Sequence, residues 1–211
     1  MRLLPSYRLV SPGFWGLFVL GFLLVACNEN MPENPEEYLS LINSPESGMT
    51  QQKTVNKVDL KLTYMPAKFL AWKEARQSGQ NYKMMLDHYR SGMNFVLHID
   101  AENSSRDIMG KGLTGFDEYN DRVMSLNFDV QQYVRLEIAD ALISPVLGTM
   151  ENTYGLITGR KLIVVFPGDP EVLLHGHDYF DVVFDDPFFG TGVSRFRYKT
   201  SAILDAPTPQ I

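Results

Sequence analysis

Cys27 is the only cysteine in the 211 residues, and it closes an uninterrupted run of apolar residues and glycine, Phe14 to Ala26 (FWGLFVLGFLLVA). One thiol cannot make an intramolecular disulfide, so whatever follows must be held by a hydrophobic core rather than by bridges. The run is preceded by Arg2 and Arg8 with no acidic residue, and followed at once by the polar Asn28-Glu29-Asn30. A basic start, a short apolar stretch and small residues at its end are the parts of a secretory signal peptide. Leu9 to Ala26 is about long enough to span a bilayer as an uncleaved anchor, but Ser11, Pro12 and Gly13 interrupt it.

The last four residues, Leu24-Val25-Ala26-Cys27, resemble the lipobox of bacterial lipoproteins. The resemblance implies cleavage before Cys27, transfer of diacylglycerol to its sulfur, and acylation of the new amino terminus. It makes Cys27 a lipidation site rather than a nucleophile. One acyl chain holds a protein only marginally, whereas two or three hold it firmly, at roughly 0.8 kcal/mol per buried methylene. The expected partner is therefore a membrane, reached through the lipid. The expected location is the cell envelope at the outer membrane, facing the periplasm or the exterior. Glu29 also resembles part of an acidic surface-export signal, although a solvated linker explains it equally well.

Loss of residues 1–26 leaves 17 basic against 25 acidic residues, a net charge of −8. That argues against nucleic acid as a partner and against adsorption to anionic headgroups. The organisation expected is a signal peptide at 1–26, a lipidated cysteine with an acidic tether at 27–52, one domain at 53–206, and a loose end at 207–211. A flexible tether of this length would span about 25–30 Å. Within it, Asn34-Pro35-Glu36-Glu37 supplies a cap, a first-turn proline and two carboxylates, so a short helix is expected at 35–43. That helix packs on its own domain or docks on a partner.

From Val55 the period changes. Val58, Leu60, Leu62 and Tyr64 alternate with Lys57, Asp59, Lys61 and Thr63, which predicts a half-buried strand. Pro66 opens a helical stretch, Ser78-Gly79 breaks it, and a second runs from Tyr82 to Tyr89. Met93, Phe95, Leu97 and Ile99 then alternate again. Further strands are expected at Val123–Asp129, Val134–Ile138, Leu142–Met150, Lys161–Phe166, Tyr179–Asp185 and Val193–Ser201, separated by turn residues. The fold class is mainly β: an antiparallel β-sandwich or barrel-like domain with a short helical insertion at about 66–90. Tyr64-Met65-Pro66, the turn Glu151-Asn152-Thr153-Tyr154-Gly155-Leu156, and Asp185-Asp186 to Gly190-Thr191-Gly192 resemble segments of uncharacterised Gram-negative surface lipoproteins. That family implies no established activity.

The chain contains no nucleophile elbow, Walker loop, dinucleotide fingerprint or His-Glu-X-X-His pair. No cofactor is implied beyond a possible divalent metal. In an extended chain His175 and His177 would point to one side with Asp178 beside them, which would suit a metal-binding protein or metal-dependent hydrolase. Gly176 between them favours a plain turn. His88 and His98 are expected at the surface. The acidic run Asp178, Asp181, Asp185 and Asp186 is interrupted by a strand pattern, so it does not form a calcium loop. Trp72 is the sole tryptophan after cleavage and would be the platform for a glycan-binding accessory, although its helical spacing from Phe69 favours burial. Phe188-Phe189 lies in a loop that either exposes a binding tip or tucks inward. The reading of the whole is a lipid-anchored binding or assembly module for an envelope protein, a glycan or another extracellular ligand.

Overall fold

The structure, a computed structural model, describes residues 32–102, 106–151 and 158–210. In chain order its helices and strands are α1 (Pro35–Asn43), β1 (Thr50–Val55), β2 (Val58–Met65), α2 (Ala67–Ser78), α3 (Tyr82–Tyr89), β3 (Gly92–Ala101), α4 (Phe116–Phe128), α5 (Val130–Tyr133), β4 (Val134–Ile138), β5 (Ala141–Ile143), β6 (Leu147–Met150), β7 (Arg160–Pro167), α6 (Pro170–Leu173), β8 (Tyr179–Asp186), β9 (Gly192–Lys199) and α7 (Thr200–Leu204). The strands form two antiparallel sheets, ordered β1-β2-β3-β7-β6 and β5-β4-β8-β9. The sandwich-like class and the helical insertion between neighbouring strands are therefore as expected, with α2 and α3 lying between the paired β2 and β3.

Period-two alternation builds the core. Leu60 and Leu62 of β2, Phe95 and Leu97 of β3, and Leu162 and Val164 of β7 are buried on one sheet. Val134 and Leu136 of β4, Phe180 and Val182 of β8, and Phe196 and Tyr198 of β9 are buried on the other. Aromatic rings join the two: Phe95 lies 5.6 Å from Tyr198 and 6.5 Å from Phe180, centroid to centroid. The Tyr198 hydroxyl donates to the Leu62 carbonyl of the facing sheet at 2.8 Å, which satisfies a polar group buried in the seam. On one edge α5 touches both β7 and β8, so it bridges the two sheets.

Helix α1 forms as expected. The Asn34 side chain accepts from the Glu37 amide at 2.9 Å, and Pro35 occupies the first turn. It packs on its own domain: Tyr38 and Ile42 have no exposed surface, and the Tyr38 ring stacks on Phe69 of α2 at 4.8 Å. Burying each of these side chains stabilises the domain by roughly 1.5–3 kcal/mol. Much of the expected acidic tether is thus part of the packed body, and residue 52 falls inside β1 rather than before it. The expected loose end is also held, since the Tyr38 hydroxyl donates to the Pro207 carbonyl and the Gln210 amide reaches the Pro32 carbonyl at 3.4 Å.

Three expectations change. β1 was not foreseen because Thr50-Gln51-Gln52-Lys53 is a polar edge strand; it pairs with β2 through a two-residue turn in which Asn56 and Lys57 have φ of 50° and 62°. Residues 123–128, expected as strand, are helical in α4, and Asp129 caps it. Glu118 reaches back to the Thr114 amide and hydroxyl, and Arg122, Leu126 and Val130 recur on the buried side. The stretch 142–150 is two strands: β5 pairs with β4, β6 pairs with β7, and the chain changes sheet at the buried Pro145. Proline cannot donate to a ladder, so it ends one pairing before the next begins.

A candidate ligand cleft at Tyr64

Four elements converge where β2 ends. Pro66, buried, stops the ladder and leads into α2. Gly79, at φ 72°, lets the chain turn back from α2 into α3. Asp169 caps α6, its carboxylate accepting from the Glu171 amide at 2.9 Å, with Pro170 in the first turn. α7 follows β9. Between them lies a cleft of about 210 Å³. Its apolar lining includes Pro66, Leu86, Pro170, Ile203 and Ala206. Its charged lining is Lys68 and Arg90 against Asp169 and Glu171. Arg90 donates to Asp169 at 3.3 Å and lies 3.8 Å from Asp87, exposed pairs that contribute about 0–1 kcal/mol each.

Tyr64 gives the cleft its chemistry. The residue is only 3% exposed, and its ring packs 5.4 Å from Phe95. Its phenol makes no hydrogen bond among the described residues, while the hydroxyls of Tyr38 and Tyr198 both find carbonyls. Among the described residues the fully enclosed side-chain atoms without a partner are Arg122 Nε and Thr200 Oγ1; the Tyr64 hydroxyl is not one of them and is left to whatever fills the cleft. Burial, and secondarily the charge of Asp169, push this phenol well above the ordinary range. At neutral pH it is a fixed, protonated O–H donor. A second hollow, about 410 Å³ between α2 and α3, is lined mostly by polar side chains such as Lys73, Glu74, Gln77 and Ser78, and the phenol on its lining, Tyr89, already donates to Glu74.

The residues singled out in the sequence go elsewhere. Cys27 lies outside the described residues. His175, His177 and Asp178 are all exposed in the turn after α6. Gly176 has φ 79° and the His177 amide donates to the Leu174 carbonyl at 3.1 Å, so the segment is not extended and the same-side geometry required of the two imidazoles is lost. Among the described residues no three His, Cys, Asp or Glu side chains stand close enough to hold a metal. Trp72 is 2% exposed, wedged near Tyr38 with the Arg76 guanidinium 5.2 Å above its ring, so it offers no platform to a sugar. His88 is exposed; His98 is half-buried, in register between Lys61 and Lys161, and burial lowers its pKa.

The acidic run separates into two structural carboxylates and two exposed ones. Asp181 is bound by Arg195 and Arg197. Asp186 accepts from the amides of Phe188, Phe189 and Thr191 and from the Thr191 hydroxyl, organising the turn from β8 to β9. Phe188 and Phe189 tuck inward, 5.8 and 5.0 Å from the buried guanidinium of Arg122. Arg122 was missed in the sequence; its signal was an arginine on the buried stripe it shares with Leu126 and Val130. Tyr64 read as one more core residue of an alternating strand, and nothing local marked its phenol as unpartnered.

No protein-family model matches the chain, and no curated protein matches it. Among solved structures it is similar to a protein of unknown function from Burkholderia pseudomallei K96243, at 13% identity and a TM-score of 0.37, covering 87% of this chain and 98% of that one. It is also similar to a DUF4426 family protein from Pseudomonas aeruginosa PAO1, at 11% identity and a TM-score of 0.33, covering 71% of this chain and 91% of that one. At these scores neither likeness carries an inference about this chain.

Proposed function

We propose that the chain is a lipid-anchored lipoprotein of the cell envelope, at the outer membrane, whose sandwich domain binds another envelope protein or an extracellular ligand. The anchor rests on the coincidence of a basic start, an apolar run and the sequence Leu24-Val25-Ala26-Cys27. No helix among the described residues is long and apolar enough to cross a membrane. The binding role rests on the cleft at Tyr64, a concave apolar surface with one buried donor that nothing else in the described chain engages.

Two linked experiments test this reading. Cys27→Ser should leave an unprocessed, non-lipidated precursor in cells; normal cleavage with unchanged detergent partitioning would remove the anchor. Crosslinking of the C-terminally tagged chain in intact cells, followed by mass spectrometry, should return one reproducible envelope partner. Capture of abundant bystanders only, at the level of an untagged control, would count against a protein partner.

A further inference from the structure

We infer that the cleft at Tyr64 is a recognition pocket for one uncharged, ring-sized apolar group carrying a single acceptor oxygen, whether borne by a free small molecule or by a tyrosine-like side chain of a peptide. This rests on the binding role proposed above and names what the site would take. Size sets the first limit. Drug-sized ligands occupy roughly 300–1,000 Å³, so a cleft of about 210 Å³ holds a single ring rather than an extended molecule. Charge sets the second. Lys68 and Arg90 on the lining are balanced by Asp169 and Glu171, and Arg90 is already engaged by Asp169, so the site has no net charge with which to select an ion. The apolar wall of Leu86, Pro170 and Ile203 would leave a buried ionic group without solvation.

The phenol sets the third. Tyr64 is buried to 3% exposure, lines the cleft, lies within the field of Asp169 and has no hydrogen-bond partner among the described residues. Its hydroxyl stays protonated, so it offers a donor that an acceptor oxygen on the ligand would satisfy. A ring without the oxygen would cover the hydroxyl and leave it unpaired, whereas a ring with the oxygen would satisfy it, so the donor discriminates between the two. Single anchored rings in small pockets are also how protein interfaces concentrate binding energy.

The test uses the full chain in the detergent that extracts it, with methyl NMR of Leu86 and Ile203 as a site-specific readout. The probes are p-cresol, toluene (the same ring without the oxygen) and N-acetyltyrosinamide (the same ring on a backbone). Saturable p-cresol shifts at millimolar or tighter affinity are expected, given the ceiling on binding energy per atom. Tyr64→Phe, which keeps the ring against Phe95, should weaken p-cresol about three- to tenfold and should not weaken toluene. Binding of N-acetyltyrosinamide at least as tight as p-cresol assigns a peptide source; binding of p-cresol alone assigns a free molecule. Absence of shifts, or equal loss of p-cresol and toluene in Tyr64→Phe, overturns the inference. Leu86→Trp, which narrows the cleft from a half-buried wall position, separates the two levels in cells. A partner still crosslinked by this variant defeats a peptide source at the cleft and keeps the binding role. No partner for either chain, with p-cresol bound in vitro, defeats the protein-partner role and keeps the cleft.

Discussion

Arg122 and the pair Arg195 and Arg197 carry the same guanidinium into opposite surroundings. Arg122 is 6% exposed and donates to three main-chain carbonyls, those of Met109 and Lys111 at 2.8 and 3.0 Å and of Phe188 at 3.0 Å. It thereby ties α4 to the segment after β3 and to the β8–β9 turn. Arg195 and Arg197 stand on the outward face of the second sheet, where cross-strand register sets Glu137, Asp181 and Arg197 in one row and Arg135, Val183 and Arg195 in the next. Arg197 grips Asp181 through two nitrogens at 3.0 Å, and Arg195 bridges Asp181 and Glu137. Their side chains remain 67% and 45% exposed. Asp181 at the centre of the outer network is itself only 6% exposed, but the guanidiniums around it have water as a substitute for lost bonds, and salt screens them. The carbonyls under Arg122 are held where water cannot replace the fork so easily. Density of ion pairs is thus a poor guide to which of the two regions holds the fold.

The largest expected effect would break this comparison if it failed. Arg122→Ala should destabilise the domain by about 3–5 kcal/mol, because it leaves buried carbonyls without donors and opens space beneath Phe189. Denaturant unfolding measures it, and a loss near that of an outer-face variant would show that the buried fork is not special. Lysine at the same position cannot present the fork and should recover little. Next comes Asp186→Ala, expected to cost roughly 2–3 kcal/mol, since the Phe189 and Thr191 amides are buried and lose their acceptor. A faster amide hydrogen exchange confined to 186–191 would sharpen the claim that this carboxylate organises the turn alone.

Asp181→Asn should cost about 1–2 kcal/mol, less than the buried changes, because the two guanidiniums it releases stay largely in water. Acid titration adds a signed check. The Arg197 hydrogen bonds hold the Asp181 carboxyl below its ordinary range, and those of Arg195 do the same for Glu137, in each case against some opposing desolvation. A carboxyl lowered in the folded state contributes stability that is present above its unfolded value, about 4, and is lost as pH falls through the folded value. Stability should decline below about pH 4, and Asp181→Asn should flatten that slope, most visibly at low salt. A slope unchanged in the variant would place the acid sensitivity elsewhere.

Most of the strands were legible because one face is buried and the other wet. Val58–Tyr64, Met93–Ile99 and Val134–Ile138 alternate without interruption, and each is a strand at nearly the expected limits. Helix α1 was legible from Asn34, Pro35 and Ser44-Pro45, which act within a few residues of one another. α4 was misread because its buried stripe includes Arg122, which a pattern search counts as polar. β1 was missed because an edge strand needs little apolar surface. The cleft at Tyr64 was not legible at all: its lining comes from positions 64–68, 86–90, 169–171 and 203–206, which no local pattern connects.

By itself the sequence determined the segments whose causes are local: the alternating strands, the capped helix at 35–43, the turn residues, and the likeness of its first 27 residues to a lipoprotein signal. Only the tertiary structure decided which polar groups found partners. Gly176 in a left-handed turn took His175 and His177 out of line, the packing of α1 on α2 closed over Trp72, and the meeting of β2, α3, α6 and α7 left the Tyr64 phenol facing the cleft with no protein partner among the described residues. Hydrogen-bond satisfaction depends on groups brought together from distant positions, whereas periodicity and capping depend on near neighbours, and that difference in range is the physical reason for the division.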